Sequence, residues 1–249
     1  MFILQVVDWL LLSVIILLAA VVRGCIGFGF SALVVASGML IVSPAILVPL
    51  VAVLEIVASI HMAFGTWRQA ALKPLFYLLI GTAIATPLGV MALVLLPTAD
   101  IRLLLSSIIL CLSLLLMSGW QYRGKVSPLC YIFMGLISGV CNGAAAVGGL
   151  PVATFLASIK LSMRSLRATL VLFFFFADII FILSASGHGI YSHFLLILCG
   201  VMVVPMTLGI YVGSLLFEKF NDKMLRKAVI LLLLAISLIG LVRELLNLL

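Results

Sequence analysis

Long apolar runs fill almost the whole chain, and prolines or short polar stretches separate them. The apolar segments lie at 4–42, 44–66, 74–97, 101–120, 128–159, 165–187, 192–217 and 228–246. An α-helix needs about 20 predominantly apolar residues to cross a bilayer. Membrane β-strands would instead give short alternating segments. The pattern therefore predicts an all-α membrane protein that crosses the bilayer several times.

Composition and charge narrow the class further. Of the 249 residues, 66% are apolar and 8% are charged, which excludes a soluble globular protein and a disordered chain. The net charge is +7, but the 14 Lys and Arg residues are scattered. We therefore expect them to set membrane topology and not to bind nucleic acid. The five cysteines have no metal-ligand spacing, and we expect neither a metal nor a cofactor.

The chain divides into two halves of four apolar segments each. We expect a first transmembrane repeat at 1–120, a cytoplasmic linker at 121–127 and a second repeat at 128–249. Cys-Ile-Gly at 25–27 matches Cys-Asn-Gly at 141–143, and other weak matches recur at a similar spacing. Chance coincidence in an apolar chain is the alternative. The matches favour an internal duplication.

The first segment of each half is interrupted by glycine-rich sequence, at 23–30 and at 138–151. Glycine destabilises a helix by about 1 kcal/mol relative to alanine. Pro151 suits the first turn of a new helix. We therefore expect two broken helices, each with two arms around an unwound glycine loop.

Positive charges favour a re-entrant path for both broken segments. If each one enters and leaves on the same face, eleven Lys and Arg residues share one side and only Arg102 and Arg243 lie opposite. The positive-inside rule expects such a bias. The halves would then be inverted, with both termini outside the cytoplasm, as in many secondary transporters. We expect Arg164 and Arg167 to set topology at the cytoplasmic entrance and to meet lipid phosphates.

Unwound loops deep in a membrane expose backbone N–H groups, and the following helix directs its positive end toward them. We therefore predict that the two loops bind a small anionic substrate. The candidate binding residues in the loops are Gly24, Cys25, Gly27, Gly29 and Ser31, and Cys141, Asn142, Gly143, Gly148 and Gly149. The alternatives are that the glycines only allow close helix packing and that the cysteines are small apolar fillers.

Three charged residues fall inside apolar segments: Arg23, Glu55 and Asp178. A charge at mid-membrane costs at least ~2.5 kcal/mol, so each should face a cavity or a partner. Arg23 is a candidate counter-charge for the anion, because a guanidinium matches planar oxyanions; an interfacial arginine is the alternative. Glu55 and Asp178 are candidate proton carriers, because a carboxyl group away from water can titrate near neutral pH. Structural hydrogen bonds to unwound backbone are their alternative role.

Residues 24–30, their partner 139–151 and the two four-segment halves resemble the sulfite exporter TauE/SafE family of bacterial permeases. Gly24, Gly27 and Gly29 fit the family's G-x-x-G-x-G-G run and Pro44 its later proline, whereas Phe30 replaces the last glycine. The second half fits only with a longer spacer. The resemblance covers essentially the whole chain. It implies a multi-pass bacterial inner-membrane permease that moves small sulfur-containing or organic anions, coupled to protons, and it leaves an oligomer open.

An alternative from another class is a membrane thiol–disulfide oxidoreductase that carries electrons through Cys25 and Cys141. Such proteins usually have prolines beside their reactive cysteines, and neither cysteine has one within two residues. An intramembrane hydrolase would need a nucleophile motif such as GxSG or HExxH, and neither occurs. We therefore expect a transporter and not an enzyme.

The re-entrant path can be tested by labelling single introduced cysteines from each side of the membrane. Positions within 121–127, 160–167 and 218–227 should label from the cytoplasmic side, because the positive charges cluster there. Positions in the turn at 188–191 should label only from the opposite side and serve as the control. Labelling of 121–127 and 160–167 from opposite sides would contradict the prediction.

Overall fold

The computed structural model describes residues 6–63, 67–118, 126–159, 161–216 and 222–247. Within these ranges the protein is helical and contains no strand. The helices are α1 (Val6–Ile26), α2 (Phe30–Gly38), α3 (Pro44–Ala63), α4 (Leu72–Leu95), α5 (Thr98–Met117), α6 (Pro128–Ala145), α7 (Gly149–Ser158), α8 (Met163–Ser186), α9 (His193–Leu216) and α10 (Asp222–Asn247). A short 3-10 helix, Trp67–Gln69, precedes α4. Most of the predicted linker at 121–127 lies outside the described residues.

Seven of the described helices are long and apolar enough to cross a membrane. Large apolar side chains such as Leu10, Phe76 and Leu208 are exposed on their outer faces. A soluble protein rarely exposes so much apolar surface, but lipid can cover it. The prediction of an all-α membrane protein is therefore confirmed.

Both predicted breaks exist, but each is shorter than expected. Only 27–29 separate α1 from α2, and only 146–148 separate α6 from α7. The prediction that the whole glycine-rich stretches are unwound is wrong. Several candidate residues lie inside the helices before the breaks, namely Gly24, Cys25, Gly139, Cys141, Asn142 and Gly143.

Each second arm folds back along its first arm. Leu12 of α1 lies beside Gly38, the last residue of α2. Ser138 of α6 donates a hydrogen bond of 2.5 Å to the carbonyl of Gly148, and the rings of Tyr131 and Phe155 meet with centroids 5.6 Å apart. If the two arms formed one straight helix, the residues of each pair would lie far apart, because a helix rises about 1.5 Å per residue. The two segments are therefore helical hairpins, with tip 1 at 27–29 and tip 2 at 146–148.

A left-handed residue ends the first arm of each hairpin. Gly27 has φ +84° and its N–H donates to the carbonyl of Arg23 at 2.7 Å. Ala146 has φ +53° and donates to the carbonyl of Asn142, also at 2.7 Å. This geometry terminates a helix and suits glycine best. Ala146 adopts it without being glycine, which explains why the glycine pattern alone did not locate tip 2.

The two hairpins and the helices that follow them match at one register. The end of α6, the start of α7 and the start of α8 each lie 119 residues after the end of α1, the start of α2 and the start of α3. At this spacing Arg23 corresponds to Asn142, Glu55 to Phe174 and Ser59 to Asp178. The match of Cys25 to Cys141 was therefore wrong, because the helix ends align Cys25 with Ala144. The inverted orientation of the halves stays a prediction.

Glycines hold each hairpin against a long helix of the other half. The first arm α1 packs along α9, and α6 packs along α4. A Cβ on Gly24 would lie 2.6 Å from the carbonyl oxygen of Ile210, and one on Gly143 would collide with that of Thr86. Small residues allow such backbone contact between membrane helices. These contacts favour the packing alternative for Gly24, Gly139 and Gly143.

Replacing Gly143 with valine should destabilise the fold, because the added side chain meets the backbone of α4. We expect a cost of at least 1–3 kcal/mol, about the range for overpacking, measured as a lower melting temperature in detergent. Gly200→Val is the matched control, since nothing lies within 4 Å of a Cβ at that position. Equal melting temperatures for the two variants would remove the packing role.

Candidate functional site

Arg23, in the last turn of α1, is completely buried. Its Nη1 forms an ion pair with Glu55 Oε2 of α3, and its Nη2 donates a 2.9 Å hydrogen bond to Ser59 Oγ. The guanidinium also stacks over the ring of Phe174 of α8, 4.6 Å from the centroid. Arg23 is therefore not an interfacial arginine. It joins tip 1 to the two helices that pass beside it.

Glu55 links this ion pair to the start of α2. Its Oε1 accepts a 3.3 Å hydrogen bond from the backbone N–H of Ser31, and its side chain is completely buried. The N-cap residue Gly29 offers no side-chain cap, so the carboxylate takes that place. A negative charge is favourable at a helix N-terminus. Arg23 and the Ser31 amide, the donors predicted to hold an anion, therefore lie close together, and the carboxylate of Glu55 bridges them.

A second polar cluster lies beside tip 2. Asn142 Nδ2 donates to the carbonyl of Ala177 at 3.1 Å and to Asp178 Oδ1 at 3.4 Å. Asp178 is 1% exposed. Its side chain is close enough to Arg23 and Glu55 to interact with both electrostatically. The two proton-carrier candidates, Glu55 and Asp178, therefore belong to one buried site.

Phe174 fills the space between the two clusters. One side of its ring faces the Arg23 guanidinium, and its edge occupies the place that a Cβ on Gly149 would take. Gly149 is the first residue of α7, so the ring covers the start of that helix. Because Phe174 corresponds to Glu55, the start of α2 meets a carboxylate and the start of α7 meets an aromatic ring. The first arm ends at a left-handed residue in both hairpins, but the side chains at the two tips differ in chemistry.

Four buried polar atoms of this site have no hydrogen-bond partner among the described residues. Two of them, Nη1 of Arg23 and Oε2 of Glu55, are the atoms of the ion pair; the other two are Nε of Arg23 and Oδ2 of Asp178. An unpaired buried polar group costs about 1–3 kcal/mol, so native structures rarely keep one without a reason. Nε can donate to an anion, and Oδ2 can accept a proton. The site therefore has a donor without a partner that suits the predicted anion and an acceptor without a partner that suits the predicted proton.

Arg167 of α8 contacts tip 1, whereas the sequence predicted only a role in topology and lipid-phosphate binding. Its Nη2 donates a 3.0 Å hydrogen bond to the carbonyl of Gly24. Its Cγ would lie 2.7 Å from a Cβ on Gly27, so the side-chain stem runs over that glycine. A cation is favourable at a helix C-terminus, where carbonyls lack partners. Its position at the start of a basic helix gave no sign of this contact.

The two loop cysteines do not form a pair. All five cysteines are free. The thiol of Cys25 donates to the carbonyl of Gly213 in α9 at 3.1 Å, whereas Cys141 is buried in α6. These contacts favour the role of small packing residues. They give no support to electron transfer through Cys25 and Cys141.

Comparison with known proteins agrees with this architecture. The family model described as Sulfite exporter TauE/SafE matches residues 12–239. No match is found among curated proteins or among solved structures. The matched range contains both tips and every residue of the buried site. The chain is therefore a member of the sulfite exporter TauE/SafE family of membrane transporters.

Proposed function

We propose that this protein is a proton-coupled secondary transporter of small sulfur-containing or organic anions, such as sulfite or sulfonates, in the bacterial inner membrane. The observation that carries the proposal is the buried Arg23, which Glu55 links to the N-terminus of α2 and whose Nε has no hydrogen-bond partner among the described residues. A guanidinium and a helix N-terminus are the two elements that bind oxyanions best. Family membership supports the transporter class.

The anion binds at tip 1 in this proposal. Arg23 supplies the charge, and Ser31 with the open backbone at Gly29 supplies N–H groups. A larger anion would extend toward Asn142, Gly148 and Gly149 at tip 2 in this proposal. Gly24, Gly143 and the two cysteines act indirectly, because they hold the hairpins in place.

Glu55 and Asp178 carry the coupling proton in this proposal. A proton on either carboxylate removes negative charge from the site and so reduces repulsion toward an arriving anion. Both side chains are 1% exposed or less, so a proton can reach them only when the hairpins or neighbouring helices move. Anion and proton are then carried in the same direction.

Arg23 variants test the anion site. Arg23→Lys keeps the charge but loses the planar fork, so we expect about a tenfold weaker affinity for the transported anion. The double variant Arg23→Gln/Glu55→Gln removes both buried charges together and should weaken it at least ~100-fold, about 2.7 kcal/mol. Arg68→Lys is the control, because Arg68 is exposed. Affinity is measured by calorimetry. If the double variant binds the anion as tightly as the wild type does, Arg23 is not part of the binding site.

Carboxylate variants test the coupling. We expect Glu55→Gln and Asp178→Asn to abolish transport driven by a pH gradient but to permit anion exchange at equal concentrations, because exchange needs no net proton movement. The measurement is radiolabelled anion flux in proteoliposomes with and without an imposed gradient. Asp100→Asn, an exposed acidic position, is the control. Full gradient-driven flux in both variants would show that neither carboxylate carries the proton.

A further inference from the structure

We propose that Glu55 is a tethered competitor of the substrate: its carboxylate occupies the anion seat of tip 1, and a free anion binds there only when Glu55 takes up a proton. The anion seat is defined by Arg23, the Ser31 amide and Ser59. The inference rests on the proposed function, since the seat is the same site. It adds the order of events and the chemical class of the ligand.

The contacts of Glu55 are those that a bound oxyanion would make. One carboxylate oxygen pairs with the guanidinium of Arg23 and the other accepts the N–H of Ser31 at the start of α2. Two acceptor oxygens on one planar centre bridge the charged donor and the helix N-terminus. A carboxylate, a sulfonate or a sulfite ion presents the same pair of oxygens. The seat therefore fits a small oxyanion whose charge is carried by such a group.

A purely structural ion pair would be expected to satisfy the arginine more completely. Buried ion pairs are stable only when further hydrogen bonds use the remaining donors. Arg23 instead leaves Nε buried without a partner among the described residues. That donor is the one a planar oxyanion can reach together with a terminal nitrogen. The unused Nε is therefore the observation, independent of Glu55, that points to a ligand.

The second half shows that the fold does not need a carboxylate at this place. At the shared register the position of Glu55 is taken by Phe174, and the first arm of the second hairpin also ends at a left-handed residue, Ala146. The position of Arg23 is taken there by Asn142, which is uncharged. A carboxylate therefore occurs at this position only in the first half, which also carries the buried Arg23. This pairing is expected if Glu55 competes for that cation.

Charge balance then fixes the stoichiometry of binding. Glu55 as carboxylate pairs with Arg23; when an anion and one proton arrive, the proton forms an O–H bond on Glu55 and the anion replaces it beside Arg23. The site has the same total charge before and after. Among the described residues, the charged groups that interact with Glu55 are Arg23 from α1 and Asp178 from α8, while α2 contributes the Ser31 amide. Asp178 itself contacts Asn142.

The test measures binding of methanesulfonate, acetate and sulfite to purified protein by calorimetry at about pH 5.5 and pH 8. Methanesulfonate keeps its charge over this range, so any pH dependence belongs to the protein. Wild-type affinity should weaken by about tenfold per pH unit once Glu55 is ionised, and one proton should be taken up per anion bound. Glu55→Gln should bind at least ~10-fold more tightly than wild type at pH 8, without pH dependence.

Two controls test whether the effect belongs to Glu55. Asp100→Asn removes an exposed carboxylate outside the site and should keep the wild-type pH dependence of binding. Glu55→Asp keeps the charge on a shorter side chain that cannot bridge both donors, so its affinity for methanesulfonate should lie between those of wild type and Glu55→Gln. Proton uptake by the wild type in weak buffer gives a measurement that needs no variant.

The inference is overturned if Glu55→Gln binds no probe, binds them no more tightly than wild type at pH 8, or keeps the wild-type pH dependence. It is also overturned if the wild type binds methanesulfonate without proton uptake. Failure of the proposed function would look different, because wild-type proteoliposomes would then carry none of these anions. One combined result separates the two proposals: anion flux is normal and depends on Arg23, but Glu55→Gln binds the probes weakly. That result would support the transporter and contradict the role of Glu55 as a competitor.

Discussion

The constraint on which the rest of the structure depends is the burial of one guanidinium in an apolar bundle. An unpaired charge in such a place costs many kcal/mol, so it must find a counter-charge and hydrogen-bond acceptors. Arg23 finds them in Glu55 and Ser59 of α3 and in the ring face of Phe174 of α8. These contacts fix the last turn of α1 against two central helices. Through Ser31, Glu55 then fixes where α2 begins.

Close backbone packing holds the hairpins that carry this cluster. Membrane helices gain little from the hydrophobic effect against each other, so association depends on shape and on small residues. The glycines of α1 meet those of α9, and the glycines of α6 meet those of α4. Each hairpin is thereby fastened to the opposite half of the chain. A movement of one half against the other would displace both tips together.

The two halves share a backbone plan but have different chemical roles. Tip 1 has a cation, a carboxylate and a helix N-terminus in contact, whereas tip 2 has an amide, a carboxylate and an aromatic ring. Phe174 touches both. Such a division agrees with the proposal that an anion and a proton bind in neighbouring places. Arg167 places a second guanidinium near this tip, on the carbonyl of Gly24.

Hydropathy and glycine content alone predicted the fold class, the existence of two breaks and the presence of three charges, Arg23, Glu55 and Asp178, inside apolar segments. These properties follow from the cost of placing polar groups in lipid, which each segment meets by itself. The sequence could not determine the length of the breaks, because a glycine favours both unwinding and close packing. Only the presence of α4 and α9 decided that Gly24 and Gly143 are helical packing residues. Other features join residues that are far apart in the chain. They are the ion pair of Arg23 with Glu55, the exchange of Glu55 for Phe174 between halves and the contact of Arg167 with tip 1. The angles at which helices pack set such contacts, and no local pattern encodes those angles.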